Sequence, residues 1–78
     1  MANIKIYTTK WCTYCKMAKE YFKEKGLEYD EYDVGTDAQK RMEMVEKTQQ
    51  MGVPVIDIGG KIIIGFDKSK INSLLGIK

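Results

Sequence analysis

Histidine is absent from this 78-residue chain, proline occurs once and cysteine only twice. Without an imidazole there is no partner base for a cysteine hydrolase, and a structural zinc site would lack one of its two usual ligand types. Long apolar runs are missing too. The longest block, around Ile62-Ile63-Ile64, is far too short to span a bilayer, so no membrane role is expected. The opening Met1-Ala2-Asn3-Ile4-Lys5 shows no apolar core followed by a cleavage site, which makes the cytoplasm the expected location. Charge of one sign is also scarce, the formal net charge being +2. The lysines are spread along the chain and interrupted by Glu28, Asp30, Glu31 and Asp33, a pattern of solvated surface that predicts no nucleic-acid partner.

What is present suits folding. Hydrophobic residues make up 44% and charged residues 31%, near the globular average, and the length fits one domain over residues 1–78 with a small core. A monomer is expected.

Asn3-Ile4-Lys5-Ile6-Tyr7 alternates polar and apolar residues and reads as a strand. From Thr13 onward Cys15, Ala18, Tyr21 and Phe22 recur at helical spacing, with a stop at Gly26. Leu27–Val34 is an imperfect alternation, read as a second strand with an irregularity near Glu31. Thr36 or Asp37 caps a second helix that turns Ala38, Met42, Val45 and Met44 inward and ends by Gly52. Pro54–Ile58 and Lys61–Ile64 are strand-like runs joined by Gly59-Gly60, a pair that closes a two-residue hairpin. Asp67 or Ser69 starts a final helix carrying Ile71, Leu74 and Leu75. The order β-α-β-α-β-β-α predicts an α/β fold, with one mixed four-stranded sheet and helices on its faces. Both cysteines then fall at the carboxyl end of a central strand, where open α/β sheets form their functional crevices.

Cys12 and Cys15 are separated by two residues. That spacing puts both sulfurs on one face of a helix, close enough to bond. At the helix N-terminus, unpaired N–H groups and the positive end of the macrodipole favour a thiolate at Cys12, with Lys10 and Lys16 adding positive potential. Its pKa is expected below the free-cysteine value of about 8.5, which makes Cys12 the nucleophile and Cys15, deeper in the helix, the resolving thiol. Two other readings compete. A disulfide closing so short a loop stabilises a fold by only about 2 kcal/mol on chain-entropy grounds, which argues against a structural staple. Two cysteines and no histidine cannot complete a metal site within one chain, so no metal ligands are assigned; a module holding a metal or iron–sulfur cluster with cysteines from two chains is the alternative.

The segment "IYTTKWCTYC", the "GVPVI" run and the closing "GGKIIIGFD" together resemble the glutaredoxin branch of the thioredoxin-like superfamily over almost the whole chain. The resemblance implies a thioredoxin-like fold and a dithiol oxidoreductase acting on protein disulfides or glutathione mixed disulfides. No bound cofactor is implied, and glutathione enters as reductant or co-substrate. It also implies a cis bond at Val53-Pro54, with the Val53 backbone pairing to a bound peptide or to glutathione. Trp11 either covers the sheet edge or walls the substrate groove, and Tyr14 matches the family's aromatic in the active-site turn. Thr13 stands where many glutaredoxins have proline, and Thr9 where they have lysine, leaving Lys10 one residue closer to the cysteines. Gly65 and Asp67 match the family's late turn, whereas Phe66 fills a position usually small. A glycine-phenylalanine turn occurs in the small glutaredoxin-like hydrogen donors reduced by thioredoxin reductase. The expected electron donor is accordingly glutathione or a thioredoxin-reductase-like flavoprotein.

Overall fold

Backbone alternation and helical caps divide the chain into seven elements in a computed structural model that describes residues 3–77. They are β1 (Ile4–Thr8), α1 (Thr13–Glu24), β2 (Asp30–Asp33), α2 (Ala38–Thr48), β3 (Val55–Ile58), β4 (Lys61–Ile64) and α3 (Lys68–Leu75). The sheet runs β2-β1-β3-β4. β1 and β2 are parallel, as the intervening α1 crossover requires, while β1–β3 and β3–β4 are antiparallel. Gly59 and Gly60, at φ 57° and 92°, supply the left-handed pair that a two-residue hairpin demands.

Alternation along the strands sorts side chains to two faces. Ile4, Ile6, Ile56, Ile58 and Ile63 meet Ala18, Tyr21 and Phe22 of α1 and Ile71 of α3 on one side. Tyr7, Val34 and Val55 meet Met44 of α2 on the other. Each isoleucine, valine, methionine or phenylalanine among them taken fully from water stabilises the fold by about 1.5–3 kcal/mol, and Phe22, with no exposed surface, anchors α1 to the sheet.

The second strand is shorter than its sequence pattern suggests. Leu27 and Tyr29 pack against the core from outside the ladder, and β2 pairs with β1 from Asp30 to Asp33 without the irregularity expected near Glu31. The second helix is turned differently. Ala38 and Met42 face solvent and Met44 alone is fully buried. Polar groups on the sheet beneath explain this rotation. The Tyr7 hydroxyl donates to Glu43 Oε1 at 2.9 Å, and Lys47 Nζ donates to Tyr7 Oη at 3.2 Å and to Asp57 Oδ2 at 3.1 Å. Asp57 is buried within an apolar strand, and leaving its carboxylate unpaired would cost more than exposing a methionine. In α3 Ile71 is buried as expected, but Leu74 is largely exposed, because β4 is the sheet edge and offers it little cover.

Candidate functional site

β1 ends at Thr8, and the chain turns through Thr9, Lys10 and Trp11 before α1 begins. Cys12 is the N-cap of that helix. Its backbone is extended (φ −89°, ψ 110°), and its sulfur accepts a hydrogen bond from the Cys15 N–H at 3.1 Å, the place usually taken by a serine or aspartate oxygen. Cys12 and Cys15 form a disulfide, with Cα atoms 5.2 Å apart. Cys12 is half-buried, whereas Cys15 is 1% exposed on the face shared with Ala18 and Phe22. Access therefore belongs to one sulfur only.

The first turn of α1 contains no acidic residue, so nothing there opposes an anion at the positive end of the helix. Lys10 lies with its Nζ 5.4 Å from the centroid of the Trp11 ring, and Lys16 is exposed in the following turn. Trp11 is 84% exposed and Tyr14 62% exposed. Of the two readings for Trp11, cover for the sheet edge is overturned, since the ring has almost no protein surface against it. Thr13 is the exposed first residue of the helix.

The Val53–Pro54 bond is cis, as the resemblance implied. Tyr7 pairs with Val55, so this segment lies at the same end of the sheet as the turn that carries the cysteines. Pro54 is buried, and its carbonyl accepts from the Gly65 N–H at 2.8 Å. Val53 is half-buried and stands outside the strand ladder. Phe66 packs inward against Tyr21, with ring centroids 5.9 Å apart in an edge-on arrangement. Asp67 caps α3, its Oδ1 accepting from the Lys70 N–H at 3.2 Å. Gly65 sits beside the cis segment, whereas Phe66 and Asp67 are engaged with α1 and α3.

Sequence reasoning passed over a buttress beneath this site. The buried Thr8 donates through Oγ1 to Glu31 Oε2 at 2.8 Å, and Lys19 Nζ bonds the same oxygen at 2.8 Å. The link ties the end of β1 to β2 and to the helical turn after Cys15. Burial works to raise the Glu31 pKa, but the bonds from Lys19 and Thr8 outweigh it and hold the carboxyl below its ordinary range. Lys19, one helical turn beyond Cys15, and a glutamate in the neighbouring parallel strand were the available signal. No group of three or more metal-capable side chains comes together among the described residues, nor is any helix there long and apolar enough to cross a membrane.

Comparison with known proteins covers most of this architecture. The family model described as Glutaredoxin matches residues 4–63. A protein of Clostridium pasteurianum described as an uncharacterized glutaredoxin-like 8.6 kDa protein in the rubredoxin operon is 46% identical over 92% of this chain and 96% of its own length. Glutaredoxin 3 of Escherichia coli K12 is 39% identical over 86% of this chain and 81% of its own. Among solved structures, a mutant of the thioredoxin-like protein BC3987 superposes with TM-score 0.91 at 31% identity over the full length of both chains. A buckwheat glutaredoxin–glutathione complex superposes with TM-score 0.75 at 25% identity, over 95% of this chain and 70% of that one.

Proposed function

This chain belongs to the glutaredoxin family, and on that premise we propose that it is a cytoplasmic oxidoreductase reducing protein disulfides through Cys12 and Cys15. One observation carries the reading. The accessible sulfur is itself the helix cap, held by the Cys15 N–H, while its partner is buried one turn on. In the reduced protein that N–H and the helix dipole stabilise negative charge on Cys12.

The Cys12 thiolate attacks one sulfur of a substrate disulfide. A new S–S bond forms to Cys12, the substrate S–S bond breaks, and the departing thiolate takes a proton from solvent. Cys15 then loses its proton and attacks Cys12 Sγ, releasing the second substrate sulfur as a thiolate. Two electrons have passed to the substrate, and the chain is left with the Cys12–Cys15 disulfide. Burial keeps Cys15 from attacking first, so the order of the two steps follows from exposure.

Substrate docking follows from the surroundings of Cys12. The Val53 backbone receives an extended segment as an added strand does, the exposed faces of Trp11 and Tyr14 flank it, and Lys10 meets a carboxylate. Glutathione, as in the buckwheat complex, or a flavoprotein of thioredoxin-reductase type returns the electrons. Following NADPH oxidation with each donor in turn separates them: glutathione plus its reductase, or a thioredoxin reductase alone. Turnover with at least one donor, abolished in Cys12→Ser, supports the reading, and full turnover in that variant refutes it.

A further inference from the structure

The hairpin register leaves β4 with a free edge of defined chemistry. Ile58 and Lys61 flank the two-residue turn and are the hydrogen-bonded pair that such turns impose. Pairs then alternate, so Ile56–Ile63 is hydrogen-bonded while Asp57–Ile62 and Val55–Ile64 are not. The Gly65 N–H to Pro54 carbonyl bond falls where that alternation places the next bonded pair. Ile62 and Ile64 therefore direct their N–H and C=O groups away from β3, toward the open side of the sheet.

Side chains beside this edge form a groove of about 320 Å³ lined by Lys61, Ile62, Ile63, Lys70, Ser73 and Leu74. Leu74 is 41% exposed, and Ile64, next to the groove, 57%. No carboxylate lines it. Among the described residues neither Lys61 nor Lys70 makes an ion pair, and from Gly59 to Ile77 the only acid is Asp67, occupied with capping α3. An apolar trough with unpaired backbone groups and two cationic banks calls for an extended segment of alternating apolar and acidic residues. A second copy of this chain is a poor occupant. It would bring its own Lys61 and Lys70 onto the same edge, where like charges oppose pairing.

We infer that the β4 edge is a docking strand for an extended acidic and apolar segment of a partner protein, which adds to the sheet as a fifth strand. Main-chain bonds form at Ile62 and Ile64; apolar side chains contact Ile64 on the face it shares with Ile62, and on the opposite face carboxylates meet Lys61 and Lys70. The β4 end nearest Gly65 adjoins the cis segment, and three strand spacings, roughly 14 Å, separate the added strand from β1. A partner seated there holds a nearby disulfide within reach of Cys12. The binding itself is independent of thiol chemistry and is tested on the oxidised protein.

The probe is an end-capped peptide alternating valine with glutamate and aspartate, titrated into isotope-labelled protein and followed by NMR. Expected are the largest shifts and slowed amide exchange at Ile62 and Ile64, with Ile64 methyl shifts. Affinity should fall about tenfold in the Lys61→Glu/Lys70→Glu variant, and in the parent protein it should fall on adding salt. A second variant, Ile64→Pro, removes one outward N–H at an edge position that tolerates proline, and should also lose binding. The inference is overturned if the same peptide with lysine in place of its acids binds equally well, if shifts avoid β4, or if sedimentation shows the protein pairing with itself through this edge.

Discussion

At Cys12 a single sulfur caps a helix and faces solvent, and the chemistry proposed for the chain depends on both. The motif announced this residue pair plainly, because a two-residue spacing has one geometric meaning at the start of a helix. Trp11 was less legible: a tryptophan suits either a covered edge or an open wall, and only the fold distinguishes them. Its 84% exposure makes a clear prediction for Trp11→Ala. Thermal stability should stay within about 0.5 kcal/mol of the parent, as surface substitutions do. KM for a protein disulfide should rise several-fold, toward the ~1–2 kcal/mol typical of an aromatic interface anchor. Calorimetry and steady-state kinetics on the same preparation check both, and a lower melting temperature with unchanged KM would assign Trp11 to the fold instead. Cys15→Ser separates the roles of the two thiols. Protein-disulfide reduction should stop at the mixed disulfide, trapped as a covalent complex that mass spectrometry detects, whereas an unhindered second turnover would deny Cys15 its resolving role.

Between elements, single polar bonds join helices to strands and to one another. Tyr21 donates its hydroxyl to Asn72 Oδ1, tying α1 to α3 across the edge of the core. Tyr21→Phe should lower unfolding stability by about 1 kcal/mol in denaturant titration, the ordinary worth of a partly buried hydrogen bond. No change would mean that water replaces the bond at no cost. The end of α2 holds Gln49 at φ 60°, in the left-handed region that a side chain resists. Gln49→Gly should therefore stabilise the protein by about 0.5–1 kcal/mol, less whatever the Gln49 Nε2 bond to the Glu46 carbonyl contributes. Destabilisation in the same titration would contradict that. The order of all seven elements could be read from periodicity and turn residues, because those signals are local. The start of β2 and the facing of α2 could not. Leu27 and Tyr29 pack as if in a strand without pairing, and α2 takes its orientation from Tyr7 and Asp57, which approach only when the sheet forms.

The molecule as a whole is held between two sets of ionisable groups, some paired along one helix and some across distant elements. Bonds from Tyr7 and Lys40, with the nearby charge of Lys47, lower the Glu43 carboxyl despite burial, and Glu31 is lowered by Lys19 and Thr8. Such carboxylates add stability above their unfolded pKa, near 4.5, and lose it as pH falls through the folded value. Burial and the Glu43 bond raise Tyr7 above 10.0, while Lys47, which burial would lower, is raised from 10.5 by its bonds to Tyr7 and Asp57. These groups keep their protons longer when folded, so their contribution is complete below their unfolded pKa values and declines as pH climbs beyond them. Melting temperature should accordingly plateau near neutrality, falling on the acid side below about pH 4.5 and on the alkaline side above about pH 10. In Glu43→Gln the alkaline fall should flatten, because Glu43 helps to raise Tyr7, and an unchanged alkaline limb would remove this network from the account. The chain as a string offered two of its parts, an aspartate inside Val55-Ile56-Asp57-Ile58 and the Glu43–Lys47 spacing, but not the contact with Tyr7 that joins them.

Titrating the thiols of the reduced protein by thiolate ultraviolet absorbance, with Cys15→Ser to isolate the leading sulfur, tests the whole most directly. Cys12 should ionise well below the value of about 8.5 of an unstructured cysteine, and should lose much of that advantage when the helix is unfolded in denaturant. Ionisation at the unstructured value in the folded protein would contradict it, since the cap and dipole at the start of α1 would then do nothing for the sulfur they surround.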